Sequence, residues 1–297
     1  MNAAEVTAML PGLLAEAALP DHPDRRPIRV WARSGVERLT FPGGASAVFK
    51  YAEAPFDHED RVLRAVAAAG LPVPAVRAAR HTEGLLGMLI EDLGEPVRAA
   101  DDLLGATTAV QIHRITALAD LPRLGEVELA SLPGKIARRL ARHGASDDAR
   151  SAATALCRAA DTRAKDAESP PFGLVHSEFH PTSLHVGAAG LRILDLARAF
   201  IGPGLLDLAS WHGTTTAPDV NRAHAFLTAY AEAGGPAETL ADRGGQNPAA
   251  WALGWHRVWV AEWFAQQIGM GWAEGAEDTW TTVITRHLLD AAELLNV

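Results

Sequence analysis

The sequence predicts an α+β chain, strands first and helices after, on three observations. Between residues 27 and 51 short apolar runs alternate with turn residues. From Leu103 onward the apolar residues recur at helical spacing. Within that helical part, residues 173–209 break the pattern with a strand, a polar turn and a hairpin.

Residues 3–19 read as an amphipathic helix broken near Pro11. Three strands are expected next, at 29–32 (ending in Ala32), 36–41 and 45–51, with Pro42-Gly43-Gly44 turning between the last two. A helix over 57–69 stops at Gly70, with Pro72 and Pro74 beyond it. Residues 85–90 form another apolar strand that exits through Glu91-Asp92-Leu93-Gly94. Helices are then expected at 104–118, 132–143 and 146–165, the last halted by Ser169-Pro170-Pro171. The spacing of His113 suits a packed or capping histidine, and Arg138, Arg139 and Arg142 suit a solvated basic face. Three further helices follow near 220–233, 249–270 and 276–295. The middle one carries Trp251, Trp255, Trp259 and Trp263 at intervals of four, one face of a helix. That stripe is core packing or an aromatic acceptor wall with Glu262 and Glu274 beside it.

The chain has 297 residues, enough for one large domain or two lobes, and 48% of them are hydrophobic, so a sizeable core is expected. A net charge of −9 argues against a nucleic-acid partner. The single cysteine, Cys157, excludes an intrachain disulfide and fits a reducing, cytoplasmic setting. The first residues lack the basic start of a signal peptide, and no run approaches the ~18–20 apolar residues of a membrane span. A soluble protein without a membrane partner is expected.

In 173–209, Leu174-Val175 lead into His176-Ser177-Glu178-Phe179-His180-Pro181-Thr182-Ser183. Two apolar runs, 184–186 and 191–194, are joined by Ala188-Ala189-Gly190 as a β-hairpin. The hairpin closes on itself, so Glu178, Ser183 and Asp195 are expected to converge. A lone carboxylate after an apolar strand, as at Asp195, needs a functional reason.

These residues resemble the aminoglycoside phosphotransferase and choline kinase-like family, relatives of the protein kinases. The family's loop reads H-G-D-x-x-x-x-N. Here His176 stands first, Glu178 takes the place of the catalytic Asp, and Ser183 takes the place of the Asn. The metal carboxylate after the hairpin matches Asp195, and the G-D-P-x-x-D-L-A segment matches Gly202-Pro203-Gly204-Leu205-Leu206-Asp207-Leu208-Ala209.

The resemblance implies a protein-kinase-like bilobal fold. Residues 1–94 would be a nucleotide-binding N-terminal lobe with a small antiparallel sheet. Residues 95–297 would be a helical C-terminal lobe with the catalytic loop and acceptor site. It implies ATP and Mg²⁺ as cofactors. Lys50 and Glu59 resemble the strand-three lysine and helix glutamate that anchor phosphates. Backbone amides of Ser34 and Gly35 would cap a phosphate or simply make a hairpin turn. Glu91 and Leu93 resemble the hinge that meets the adenine. Asp195 and Ser183 would hold the metal, and Glu178 would accept the acceptor's proton. His176 would buttress the loop, His180 would steady it or meet phosphate, and Asp207 would brace it.

The expected activity is phosphoryl transfer from ATP to a hydroxyl of a small molecule: an antibiotic, an amino alcohol or a natural-product intermediate. Two alternatives stand beside it. One is a kinase acting on Ser or Thr of a peptide. The other is a catalytically impaired pseudokinase that serves as a binding protein, suggested by Glu178, Ser183 and the single glycine of the 33–36 turn.

Overall fold

The computed structural model describes residues 3–31, 33–118, 121–143, 145–273 and 275–297. In chain order the first elements are α1 (Ala3–Glu16), β1 (Asp24–Val30), β2 (Ser34–Thr40), β3 (Ser46–Glu53), α2 (Glu59–Ala68), β4 (Val76–Thr82) and β5 (Leu85–Ile90). Then come α3 (Asp102–His113), α4 (Glu126–His143), α5 (Asp147–Arg163), β6 (Phe172–Val175), β7 (Leu184–Gly187), β8 (Gly190–Ile193) and β9 (Phe200–Pro203). The chain ends in α6 (Leu205–Ser210), α7 (Val220–Glu232), α8 (Pro248–Gly269) and α9 (Glu277–Leu294). It divides into two compact units, Met1–Ala100 with Thr182–Ala199, and Asp101–Pro181 with Phe200–Val297.

The first unit is an antiparallel sheet in the order β1-β2-β3-β5-β4. One face is closed by α1, whose Leu10, Leu13 and Leu14 pack with Leu39, Phe49 and Leu89. In β2, Gly35, Glu37 and Leu39 are buried in alternation with half-buried Ser34, Val36 and Arg38. Lys50 pairs opposite Val36 and Val48 opposite Arg38, so those four share the other face. The β7–β8 hairpin belongs to this unit. It is tied to it by Ile193 N donating to Pro72 O at 2.7 Å and by Val97 N donating to Val186 O at 2.8 Å.

Several boundaries differ from the sequence reading. The first strand starts at Asp24, five residues early, because it is an edge strand with every residue exposed and no buried face to mark it. Ala32 lies outside the described residues. α1 runs unbroken through Pro11. Burial of the leucines on both sides outweighs the ~3 kcal/mol that an interior proline costs. β4 was not anticipated: only Ala78 in it is fully buried, and its sequence VRAARHT has no apolar alternation. α4 starts at Glu126, before the expected 132.

The second unit is helical around a two-stranded β6–β9 ladder. α3 ends at His113 rather than 118, because the chain turns there to give the Ile115 carbonyl to Leu174 N of β6 at 2.6 Å. Trp251 and Trp255 of α8 are buried, and both donate to the Arg163 carbonyl, at 2.7 and 3.0 Å. Among the described residues no helix is long and apolar enough to cross a membrane.

Candidate active site

The first unit gathers three charged side chains. Lys50, in the middle of β3, reaches Glu59 at the start of α2 with Nζ 2.7 Å from Oε2. The same ammonium lies 2.5 Å from Asp195 Oδ1, just past β8. Glu59 is 2% exposed, whereas the Asp195 side chain is 51% exposed. Burial works against the charge on Lys50, but Glu59 and Asp195 outweigh it and raise its pKa above the ordinary lysine value. Two carboxylates around one ammonium leave the trio at net −1.

The hairpin explains why Asp195 stands there. β7 and β8 pair from Leu184↔Ile193 to Gly187↔Gly190. Leu194 N then donates to the Ser183 carbonyl at 2.8 Å, which closes the base of the hairpin. Ser183 and Asp195 therefore flank one hairpin end, as the sequence suggested. Asp195 adopts φ +66°, left-handed backbone that aspartate tolerates better than most residues. A carboxylate and a hydroxyl are hard oxygen donors, and Mg²⁺ is commonly held by one or two carboxylates plus phosphate oxygens. The residues present fit that ion. Among the described residues no cluster of three His, Cys, Asp or Glu side chains forms a ready-made metal site.

The hinge candidates lie at the exit of β5. Glu91 N donates to the Ala75 carbonyl at 2.9 Å. Its carboxylate accepts from Arg192 Nε of β8 at 3.4 Å and from Ala75 N at 3.3 Å. Leu93 is half-buried beside it. Arg38 grips the following turn, with Nε 3.0 Å from Asp92 Oδ2 and Nη1 3.0 Å from Glu95 Oε1. At the opposite end of β2, the Trp31 amide donates to the Ser34 carbonyl at 2.8 Å. Gly35 has a packing reason of its own, since a Cβ there would lie 2.3 Å from the Tyr51 ring.

In the helical unit, the loop after β6 carries Glu178, exposed, with His176 buried and His180 half-buried. Glu178 N donates to His176 Nδ1 at 3.3 Å, and the His176 ring meets Phe179 edge-on. Both of these His176 contacts lie within the loop itself. Asp207 of α6, fully buried, accepts from His176 N at 2.8 Å and from Ser177 N at 2.9 Å. His113 Nε2 is 3.3 Å from the same carboxylate, and its Nδ1 is 3.0 Å from Tyr230 Oη. The bracing role expected of Asp207 and the packed role of His113 are parts of one buried network.

Sequence reasoning missed Ser177 and Tyr230. Ser177 fills the glycine position of the loop motif at φ +75°, and its buried hydroxyl has no hydrogen-bond partner among the described residues. The motif's own glycine was the available signal. Tyr230, one apolar-face residue of α7, carried none.

The aromatic stripe of α8 splits. Trp251 and Trp255 are core; Trp259 packs on Phe200 and Trp263 on Trp272. Glu262 forms an ion pair with Arg139, so Arg139 leaves the solvated face expected for it. Glu274 lies outside the described residues.

The sequence profile of the phosphotransferase enzyme family matches residues 38–241, a span that holds Lys50, Glu59, the loop, Asp195 and Asp207. A comparison with curated protein sequences found no match. Among solved structures, the macrolide 2′-phosphotransferase of Brachybacterium faecium is 18% identical, with a TM-score of 0.62 over 95% of this chain and 98% of that chain. The choline kinase of Cryptosporidium parvum is 12% identical, with a TM-score of 0.61 over 98% and 96%. An amicoumacin kinase, solved with AMP-PNP and Ca²⁺, is 14% identical, with a TM-score of 0.60 over 97% and 96%. At such identities the likeness is one of fold, and the fold is protein-kinase-like.

Proposed function

Because the chain belongs to the phosphotransferase enzyme family, we propose that it is an ATP- and Mg²⁺-dependent kinase that phosphorylates a hydroxyl of a small molecule. The observation that carries this reading is Lys50 held between Glu59 and Asp195. An ammonium fixed in that way is ready to meet phosphate oxygens.

Asp195 and Ser183 would hold Mg²⁺, which when bound neutralises charge on the nucleotide phosphates. Lys50 would orient the α- and β-phosphates, with Glu59 setting its position. Ser34 and Gly35 amides would lie toward the phosphate end, and the Glu91 carbonyl and Leu93 amide would meet the base. Glu178 would accept the proton of the acceptor hydroxyl. As that oxygen bonds to the γ-phosphorus, the bond to the bridging oxygen breaks and ADP leaves. Glutamate has nearly the basicity of aspartate, so the substitution changes reach rather than chemistry. His180 would steady the loop or meet the transferred phosphate.

The related structures are a macrolide phosphotransferase, a choline kinase and an amicoumacin kinase, which supports an antibiotic, amino alcohol or natural-product acceptor. The net charge of −9 supports a partner set without nucleic acid.

Transfer of ³²P from ATP to an acceptor panel tests the proposal. Transfer to a small molecule, lost in Asp195→Ala, upholds it. Transfer only to peptide hydroxyls would move the acceptor class. Glu178 and Ser183 motivate the pseudokinase reading, and nucleotide binding with no transfer to any acceptor would favour it.

A further inference from the structure

The helical unit contains a cavity of about 400 Å³ that none of His176, Glu178 or His180 lines. It lies among α3, the segment leading into β6, and the end of α7. Val110, Pro171 and Phe172 make its walls apolar, and His113 and Tyr230 complete them. Its volume is at the small end of the ~300–1,000 Å³ typical of ligand pockets.

Two charged residues stand at its rim. Glu168 is engaged: its carboxylate holds Arg123 Nη2 at 2.5 Å and accepts from Glu126 N at 3.3 Å. Arg114 is exposed and reaches a backbone carbonyl, that of Gly234, at 3.5 Å. No carboxylate pairs with it among the described residues. An apolar pocket edged by one guanidinium that pairs with no carboxylate among the described residues suits a small carboxylic acid with a planar or branched apolar body.

The same walls reach the loop after β6. Tyr230 bonds His113, His113 bonds Asp207, and Asp207 holds the amides of His176 and Ser177. These groups have little slack. A Cβ on Gly204 would lie 2.6 Å from the His113 ring, and one on Gly235 would lie 2.3 Å from the Tyr230 ring. Rigid, fully bonded groups transmit a displacement rather than absorb it.

We propose that this cavity is a second small-molecule site, for an apolar carboxylic acid, and that its occupancy is transmitted to the loop through Tyr230, His113 and Asp207. The binding part stands independently of the kinase reading.

The test uses the full-length protein without nucleotide. Phenylacetate and its uncharged amide, phenylacetamide, are titrated by calorimetry. Hydrogen exchange is followed at His176 and Ser177. Saturable phenylacetate binding, about tenfold tighter than the amide, is expected for one charge-assisted contact. Arg114→Gln should erase that preference. Thr116→Trp, at the exposed rim, should block both probes. Saturation with phenylacetate should change the exchange rate at His176 and Ser177. Absence of binding, or equal binding of the two probes that Arg114→Gln leaves unaltered, overturns the site. Binding with no change in exchange overturns the coupling. Loss of kinase activity in a separate assay would bear on neither result.

Discussion

Lys50 and Asp207 are both charged groups held by several partners, yet they belong to opposite kinds of construction. Lys50 stands between two carboxylates, one buried and one half in solvent, and the trio keeps a net charge that a cationic ligand would complete. Asp207 is fully buried and its oxygens are spent on two backbone amides and a histidine. On the proposed function the first arrangement would take a ligand. The second fixes the shape of a loop. Removing a group from each should therefore fail in different currencies: chemistry in one case, folding in the other.

Asp195→Ala gives the larger effect. Phosphoryl transfer should fall by about three orders of magnitude, the scale for losing one preorganised charge contact. The melting temperature should hardly move, since the side chain is half exposed and Lys50 keeps Glu59. A folding loss with unchanged transfer would erase the contrast with Asp207. Asp207→Ala should show the converse. It strands two buried amides and a histidine, and unfolding in urea should reveal a loss of about 3–5 kcal/mol. His113 and Tyr230 should become easier to perturb at the same time.

The helical unit repeats the second construction at His287. Its Nδ1 lies 3.2 Å from Arg257 Nη1, and burial, with Arg257 and Arg286 nearby, pushes its pKa down to about 3. The unfolded chain takes up that proton below ~6.5 while the folded chain does not. The contribution of His287 is thus present above pH ~6.5 and is lost as pH falls toward 3, at up to about 1.4 kcal/mol per pH unit. In His287→Gln the acid limb of the stability curve should be shallower by up to that slope. Equal slopes in the two proteins would mean the buried histidine is not neutral.

How far the sequence could be read follows the same division. Groups proposed to act by local chemistry are marked by spacing: Lys50 before a helix with Glu59, and Ser183 and Asp195 flanking the open end of a hairpin whose turn is Ala188-Ala189-Gly190. Groups that act through packing do not. β4 takes its place by pairing with β5 rather than by any pattern of its own. β1 has no buried face. Tyr230 gains its meaning from His113, 117 residues away in sequence. Asp207 was legible because its match to the G-D-P-x-x-D-L-A segment implied that it braces the loop. Ser177 was marked in the sequence only by standing where the motif has glycine, and the cost of its backbone appears in its φ. That cost gives a smaller prediction. Ser177→Gly should stabilise the protein by about 1–2 kcal/mol through relief of left-handed strain. Loss of stability would show that the serine earns its position through a contact of its hydroxyl.

The smallest effect falls between the two constructions. Arg38 shares a sheet face with Lys50 but spends its guanidinium on the turn after β5, reaching Asp92, Glu95 and the Gly94 carbonyl. These carboxylates raise its pKa, with the Glu95 hydrogen bond the largest cause. Asp92 is nearly buried and Glu95 is 83% exposed, so the Asp92 arm should carry most of the energy. Arg192 holds Glu91 on the same segment. If these arms position the hinge for the base, Arg38→Gln should raise the KM for nucleotide by about two- to fivefold, the scale of one partly exposed ion pair. The kcat should stay within error, because Lys50 and Asp195 are untouched. Arg38→Lys should recover only part of the loss, since an ammonium cannot span Asp92 and Glu95 with a planar fork. A fall in kcat with KM unchanged would place Arg38 with the reacting groups instead, and the sheet face that carries Lys50 would then be catalytic along its length.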